Sequence, residues 1–147
     1  MTQAVPIPVD NVPTRATWDR LKAEPATFLI DVRTRAEWSF VGTPDLSSIG
    51  KQVLLVEWLT FPENRPNPAF VAQLTATLEQ MGADRDAGLY FICRSGARSL
   101  QAANAMAAAG YRNCHNVAEG FEGPLDAARH RGRQSGWKAD ELPWVQA

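Results

Sequence analysis

One cysteine stands among two arginines and two serines in the run Cys93-Arg94-Ser95-Gly96-Ala97-Arg98-Ser99. Residues 88–92 before it are a glycine and four apolar or aromatic residues, the composition of a buried strand. Residues 100–109 after it are alanine-rich and stop at Gly110, the pattern of a helix closed by a glycine C′ residue. Cys93 is therefore expected where a strand end turns into a helix beginning. The first amides of a helix have no intrahelical partners and the helix dipole adds partial positive charge, so a thiolate or a bound anion is stabilised there. Arg94 and Arg98 add full charges, and Ser95 and Ser99 add hydroxyl donors. Gly96 frees the backbone to turn its amides inward as an anion nest. Together these predict that Cys93 is a nucleophile near neutral pH.

The elements that must hold this loop can be read on either side of it. Pro6 and Pro8 make residues 4–13 an extended arm or an edge strand, since neither can donate to a ladder. Thr14 is the expected N-cap of a helix over residues 15–23, with Trp18 and Leu21 on one face. Residues 26–30 form a second buried strand that delivers Asp31, Val32 and Arg33 to the carboxyl edge of the sheet, where ligands of open α/β sheets bind. Thr34-Arg35-Ala36-Glu37 fits a capping box, and a short helix through Trp38 and Phe40 follows. Gly42, Pro44, Asp45, Ser47, Ser48 and Gly50 mark a loop before a buried strand at residues 52–56.

Three prolines make residues 60–68 a surface excursion, with Asn67 and Pro68 as N-cap and first residue of a helix. Phe70, Val71, Leu74, Leu78 and Met81 then recur at helical spacing until Gly82. Beyond Gly110, residues 111–117 supply one more short strand, residues 119–124 a turn and residues 126–137 a solvated loop. Cys114 and the tryptophans Trp38, Trp58, Trp137 and Trp144 are packing residues in this reading, with Trp137 also placed to line an entrance; His115 is structural. Strands alternating with helices at this spacing predict an α/β domain, a mainly parallel sheet with helices on both faces. The domain spans residues 14–147, preceded by the arm at residues 1–13.

The 147 residues are 45% hydrophobic and 21% charged with a net charge of -1, the balance of an ordinary globular chain. No global basic field exists to hold nucleic acid, and no apolar run reaches the roughly 20 residues of a membrane span, so neither partner is expected. Met1-Thr2-Gln3-Ala4 has neither a cationic segment nor an apolar one, and the expected location is the cytoplasm. Two cysteines and two histidines, widely spaced, predict no disulfide framework and no metal site.

Read together, Leu29 to Trp38 with its Asp31-Val32-Arg33 core, the Cys93-Arg94-Ser95-Gly96-Ala97-Arg98-Ser99 loop, Ala109-Gly110-Tyr111, Asn116-Val117 and Glu119-Gly120-Phe121 resemble the successive landmarks of a single-domain rhodanese. The resemblance implies a rhodanese-like three-layer fold and a sulfurtransferase without cofactor. Cys93 would take a sulfane sulfur from thiosulfate or a persulfide and pass it to a thiol or cyanide, with residues 94–99 binding the donor. It also implies that Asp31 supports the loop by a hydrogen bond or ion pair, with Arg94 as its possible partner, and that Arg33 assists. A protein acceptor, in a persulfide carrier or sulfur-sensing module with little turnover, is the alternative. Cysteine phosphatases of related fold use five residues between cysteine and arginine, where this chain has four. Two landmarks depart from the resemblance: Val41-Gly42-Thr43-Pro44-Asp45 holds no histidine where many rhodaneses have Gly-His-Ile, and Glu119-Gly120 replaces a double glycine.

Overall fold

Two five-residue apolar segments, Thr27–Asp31 and Gly88–Ile92, lie side by side at the centre of the molecule, and their alternating side chains build a core on each face. The computed structural model describes residues 8–146. In chain order it forms β1 (Asp10–Val12), α1 (Thr14–Ala23), β2 (Thr27–Asp31), α2 (Arg35–Phe40), β3 (Thr43–Pro44), a 3-10 turn (Ser47–Ile49), β4 (Leu54–Leu55), α3 (Phe70–Gln80), β5 (Gly88–Ile92), α4 (Ala97–Ala108), β6 (Cys114–Val117) and β7 (Trp144–Val145). The main sheet has the order β1-β6-β5-β2-β4, with every neighbouring pair parallel. β3 and β7 form a separate antiparallel pair. Among the described residues, no helix is long and apolar enough to cross a membrane.

The two-residue period of the strands divides the core. Ile30, Leu89 and Phe91 face Phe70, Leu74 and Leu78 of α3 and Ala102, Ala103 and Met106 of α4. Leu29, Tyr90 and Ile92 face Leu21 of α1 together with Phe121, Trp137 and Leu142. All five residues of β5 are buried, as a central parallel strand requires. Its register runs from Thr27 beside Gly88 to Asp31 beside Ile92, so the two strands finish level and Cys93 leaves the sheet next to Asp31.

Several local expectations are corrected. Residues 52–56 are an edge, not a buried strand: only Leu54–Leu55 pairs, with β2 alone, and the Leu55 side chain faces out. Thr14 opens the first turn of α1 instead of capping it; Pro13 is the N-cap and the Thr14 hydroxyl donates to the Asp140 carboxylate. Asn67 makes a turn of its own, its Oδ1 accepting from the Ala69 amide at 3.0 Å, and α3 starts two residues later than expected, at Phe70. Met81 lies past the end of α3 and is exposed. α4 begins three residues earlier than its apolar pattern indicates, at Ala97, and ends in a Schellman motif at Gly110, where Tyr111 N–H donates to Met106 O. Of the expected arm, Asp10–Val12 is the edge strand paired with β6, and residues 1–7 lie outside those described.

Trp137 is core and lines no entrance. It is 0% exposed, its indole N–H donates to Pro143 O at 2.6 Å, and its ring meets Trp18 edge to face with centroids 5.9 Å apart. Its amide donates to Gly120 O, tying the segment after β6 to the sheet. Trp137→Ala is expected to destabilise the fold by about 3–5 kcal/mol, the cost of emptying a large buried ring site, read as a shift of the urea unfolding midpoint.

Candidate active site

The thiol of Cys93 lies at the carboxyl end of β5, directly before the turn into α4. Gly96 closes that turn with φ 110°, in the left-handed region, as N-cap of the helix. A Cβ at Gly96 would lie 2.3 Å from Ala118 O, so this position admits only glycine. The chain curls until the Gly96 amide donates to Cys93 Sγ at 3.1 Å, and Ser99 Oγ sits 3.2 Å from the same sulfur. The amides of Ser95, Ala97 and Arg98 have no acceptor among the described residues and belong to the loop and the first turn of α4. Cys93 itself is only 1% exposed, so a reactant must enter the ring to meet it.

The loop's carbonyls point the other way. Phe121 N–H donates to Cys93 O at 2.8 Å, and the Glu122 and Gly123 amides donate to Arg94 O at 3.0 and 3.1 Å. Gly120, with φ 67°, permits this approach: a Cβ there would lie 2.6 Å from the carbonyls of Cys93 and Arg94. Of the two positions of a double glycine, the one kept here as Gly120 is thus the one the geometry needs.

Ser99 is fully buried and held by Asn116, a residue the sequence reading had not singled out beyond its place in the resemblance. Asn116 Nδ2 donates to Gly96 O at 3.1 Å and to Asn11 Oδ1 at 3.0 Å. Because a carbonyl can only accept, this orients the amide, and Asn116 Oδ1 must face Ser99 Oγ, 2.5 Å away, as acceptor. The single hydroxyl proton of Ser99 then points at Asn116. The available signal was a polar residue within the short apolar strand at residues 111–117; its partners were not readable.

Asp31 and Arg33 are brought together, but Asp31 does not take Arg94. Both are fully buried, and Arg33 Nη2 and Nε donate to the Asp31 carboxylate at 2.7 and 2.9 Å. Arg33 also donates to Gly42 O at 2.6 Å and places its guanidinium 4.2 Å above the Phe121 ring. The pair therefore reaches the loop through Phe121, whose amide holds Cys93 O. Arg94 is exposed and its side chain has no hydrogen-bond partner among the described residues.

Arg98 is not free to meet an anion with both its amino groups. Its Nη1 and Nη2 donate to Glu37 Oε1 and Oε2 at 2.7 and 3.0 Å. Glu37 also closes the expected capping box, accepting from Thr34 N–H while Thr34 Oγ1 accepts from Glu37 N–H. Burial pushes the Glu37 carboxyl up, yet the hydrogen bond and charge of Arg98 hold it below its ordinary value. Glu37 and Arg98, with Arg94, line a cleft of about 550 Å³ whose remaining wall includes Phe40, Leu59 and Phe61.

Cys114 packs in β6, as expected. It is level with Leu89, so about four strand residues, or roughly 13 Å, separate it from the end of β5 where Cys93 sits. Burial pushes its thiol up to about 12, and a thiol so placed cannot resolve a bond formed at Cys93. His115 is structural: it pairs with Asp10 and stacks on Tyr90 with ring centroids 4.6 Å apart.

The sequence matches the family model described as the STR4 middle domain over residues 10–147, not a single-domain rhodanese model, and the likeness to rhodaneses holds at the level of the fold. The crystal structure of Rv0390 from Mycobacterium tuberculosis is 42% identical, with a TM-score of 0.84 over 95% of this chain and 99% of that one. The fold is shared with the polysulfide-sulfur transferase homodimer of Wolinella succinogenes (TM-score 0.57, 18% identity, 95% of this chain and 80% of that one). It is shared too with a rhodanese-related protein of Thermoplasma volcanium (TM-score 0.53, 15% identity, 94% of this chain and 99% of that one).

Gly120→Ala is expected to cost roughly 2 kcal/mol or more, since the new methyl meets backbone that cannot move aside, and to lower the melting temperature accordingly. Iodoacetamide at neutral to mildly alkaline pH is expected to leave Cys114 unmodified in the native protein and to label it only once urea unfolds the chain, as peptide mapping would show.

Proposed function

The chain belongs to the STR4 middle domain family, and from that premise we propose that it is a sulfurtransferase working through a persulfide on Cys93. The observation that carries this reading is the setting of the sulfur: Cys93 Sγ accepts the Gly96 amide at 3.1 Å, inside a ring whose Ser95, Ala97 and Arg98 amides have no acceptor among the described residues. Such a ring suits a thiolate and, one bond further in, the terminal sulfur of a persulfide. The rhodanese-like fold supports the same chemistry.

In the first displacement the Cys93 thiolate attacks the outer sulfur of thiosulfate or of a persulfide. The new S–S bond forms as the old one breaks, and sulfite or a thiolate leaves with the electron pair. The Cys93 persulfide anion then lies among the loop amides, which need not reorganise to receive it. In the second displacement a thiol or cyanide takes the terminal sulfur and returns the Cys93 thiolate. Arg94 attracts the anionic donor, while Asp31 and Arg33 keep Phe121, and through it the Cys93 carbonyl, in place.

Incubation of the reduced protein with thiosulfate or with a low-molecular-weight persulfide is expected to add about 32 Da to the peptide containing Cys93, and cyanide to remove it with release of thiocyanate. Cys93→Ser is expected to abolish both steps; sulfur transfer by that variant would end the proposal. A persulfide stable to cyanide but discharged by a protein thiol would identify a carrier instead of a small-molecule enzyme.

A further inference from the structure

Two guanidinium groups, Arg94 and Arg98, line the cleft beside the Cys93 loop and together would suit a dianion, but a carboxylate is built against one of them. Arg98 gives both terminal nitrogens to Glu37, at 2.7 and 3.0 Å. Glu37 cannot swing aside without opening the cap of α2, because Oε1 also accepts from the amide and hydroxyl of Thr34 at 3.2 and 3.1 Å. Of the charges lining the cleft, Arg94, Arg98 and Glu37, the net is one positive, and Arg94 is the cation with no partner among the described residues. The opposite wall is apolar and open: Phe40 and Phe61 are 81% and 64% exposed. An inorganic oxyanion gains nothing from two aromatic rings, whereas an organic group laid against them removes apolar surface from water.

We infer that Glu37 is a specificity-determining residue that turns this site from thiosulfate toward an organic persulfide, R–S–SH, whose R group lies on Phe40 and Phe61. The inference rests on the sulfurtransferase reading and narrows its donor. In the loading step the Cys93 thiolate bonds to the outer sulfur of R–S–SH, the donor's S–S bond breaks, and its electron pair leaves on R–S⁻. The proton of the transferred sulfur passes to the more basic leaving thiolate, giving the Cys93 persulfide anion and R–SH, and no external oxidant or reductant takes part. Arg94 and the loop amides meet the single negative charge that develops on the leaving thiolate.

The test measures single-turnover loading of Cys93 by mass spectrometry with thiosulfate and with benzyl persulfide, and reads the ratio of the two rate constants. In E37Q the ratio is expected to move toward thiosulfate by about fivefold, the effect of one uncovered charge near a solvated surface. Glutamine still completes the cap of α2, so a purely structural role for Glu37 would lower both rates together and leave the ratio where it was. F61A, at an exposed position that leaves the core untouched, is expected to move the same ratio by about threefold through loss of the apolar wall. An unchanged ratio in either variant overturns the inference, while loading by both donors in the native protein leaves the sulfurtransferase reading standing. Absence of sulfur on Cys93 with both donors overturns both readings.

Discussion

The carbonyl groups of Cys93 and Arg94 turn away from the thiol and are held there by the amides of Phe121, Glu122 and Gly123. A peptide plane has two ends, and fixing the carbonyls outward turns the neighbouring amides inward. Each hydrogen bond contributes about 1 kcal/mol, but their effect on direction matters more than their sum. The same segment is itself held from behind: Trp137 N–H donates to Gly120 O and Lys138 N–H to Phe121 O. Residues 119–124, a plain turn in the sequence, are thereby part of the frame of the site.

A second layer of support is electrostatic. Asp31 and Arg33, buried together, would be costly as single charges and are tolerable only as a hydrogen-bonded pair. Arg33 then bridges three regions: β2 through Asp31, the loop after α2 through Gly42 O, and the segment after β6 through the Phe121 ring. Glu37 and Arg98 do the same between α2 and α4, nearer to solvent. Of the charged groups around Cys93, most are thus committed to one another, and Arg94 is left facing the cleft.

In the proposed reaction, this division of labour would let a small, nearly neutral chain bind anionic sulfur. The attraction does not come from net charge, which is -1 overall. In that reaction it would come from amides at a helix beginning and from the exposed Arg94, in a cleft whose lining also includes Phe40, Leu59 and Phe61.

What the sequence determined by itself is what short-range physics controls. The apolar run Gly88–Ile92, the capping box at Thr34 and Glu37, and the glycine stop at Gly110 each depend on residues within one or two turns, and all three stand as read. They were enough to place Cys93 at a strand end before a helix, while the register that sets Asp31 beside Ile92 came from strand pairing. The tertiary structure alone decided the partners. Arg98 meets Glu37 across 61 residues, and Ser99 meets Asn116 only because β6 lies beside β5 in the order β1-β6-β5-β2-β4. Asp31 takes Arg33 in place of Arg94 because both side chains lie beneath Phe121, on the face opposite α3 and α4. Such contacts depend on which strands become neighbours, a property of the whole chain that no local pattern encodes.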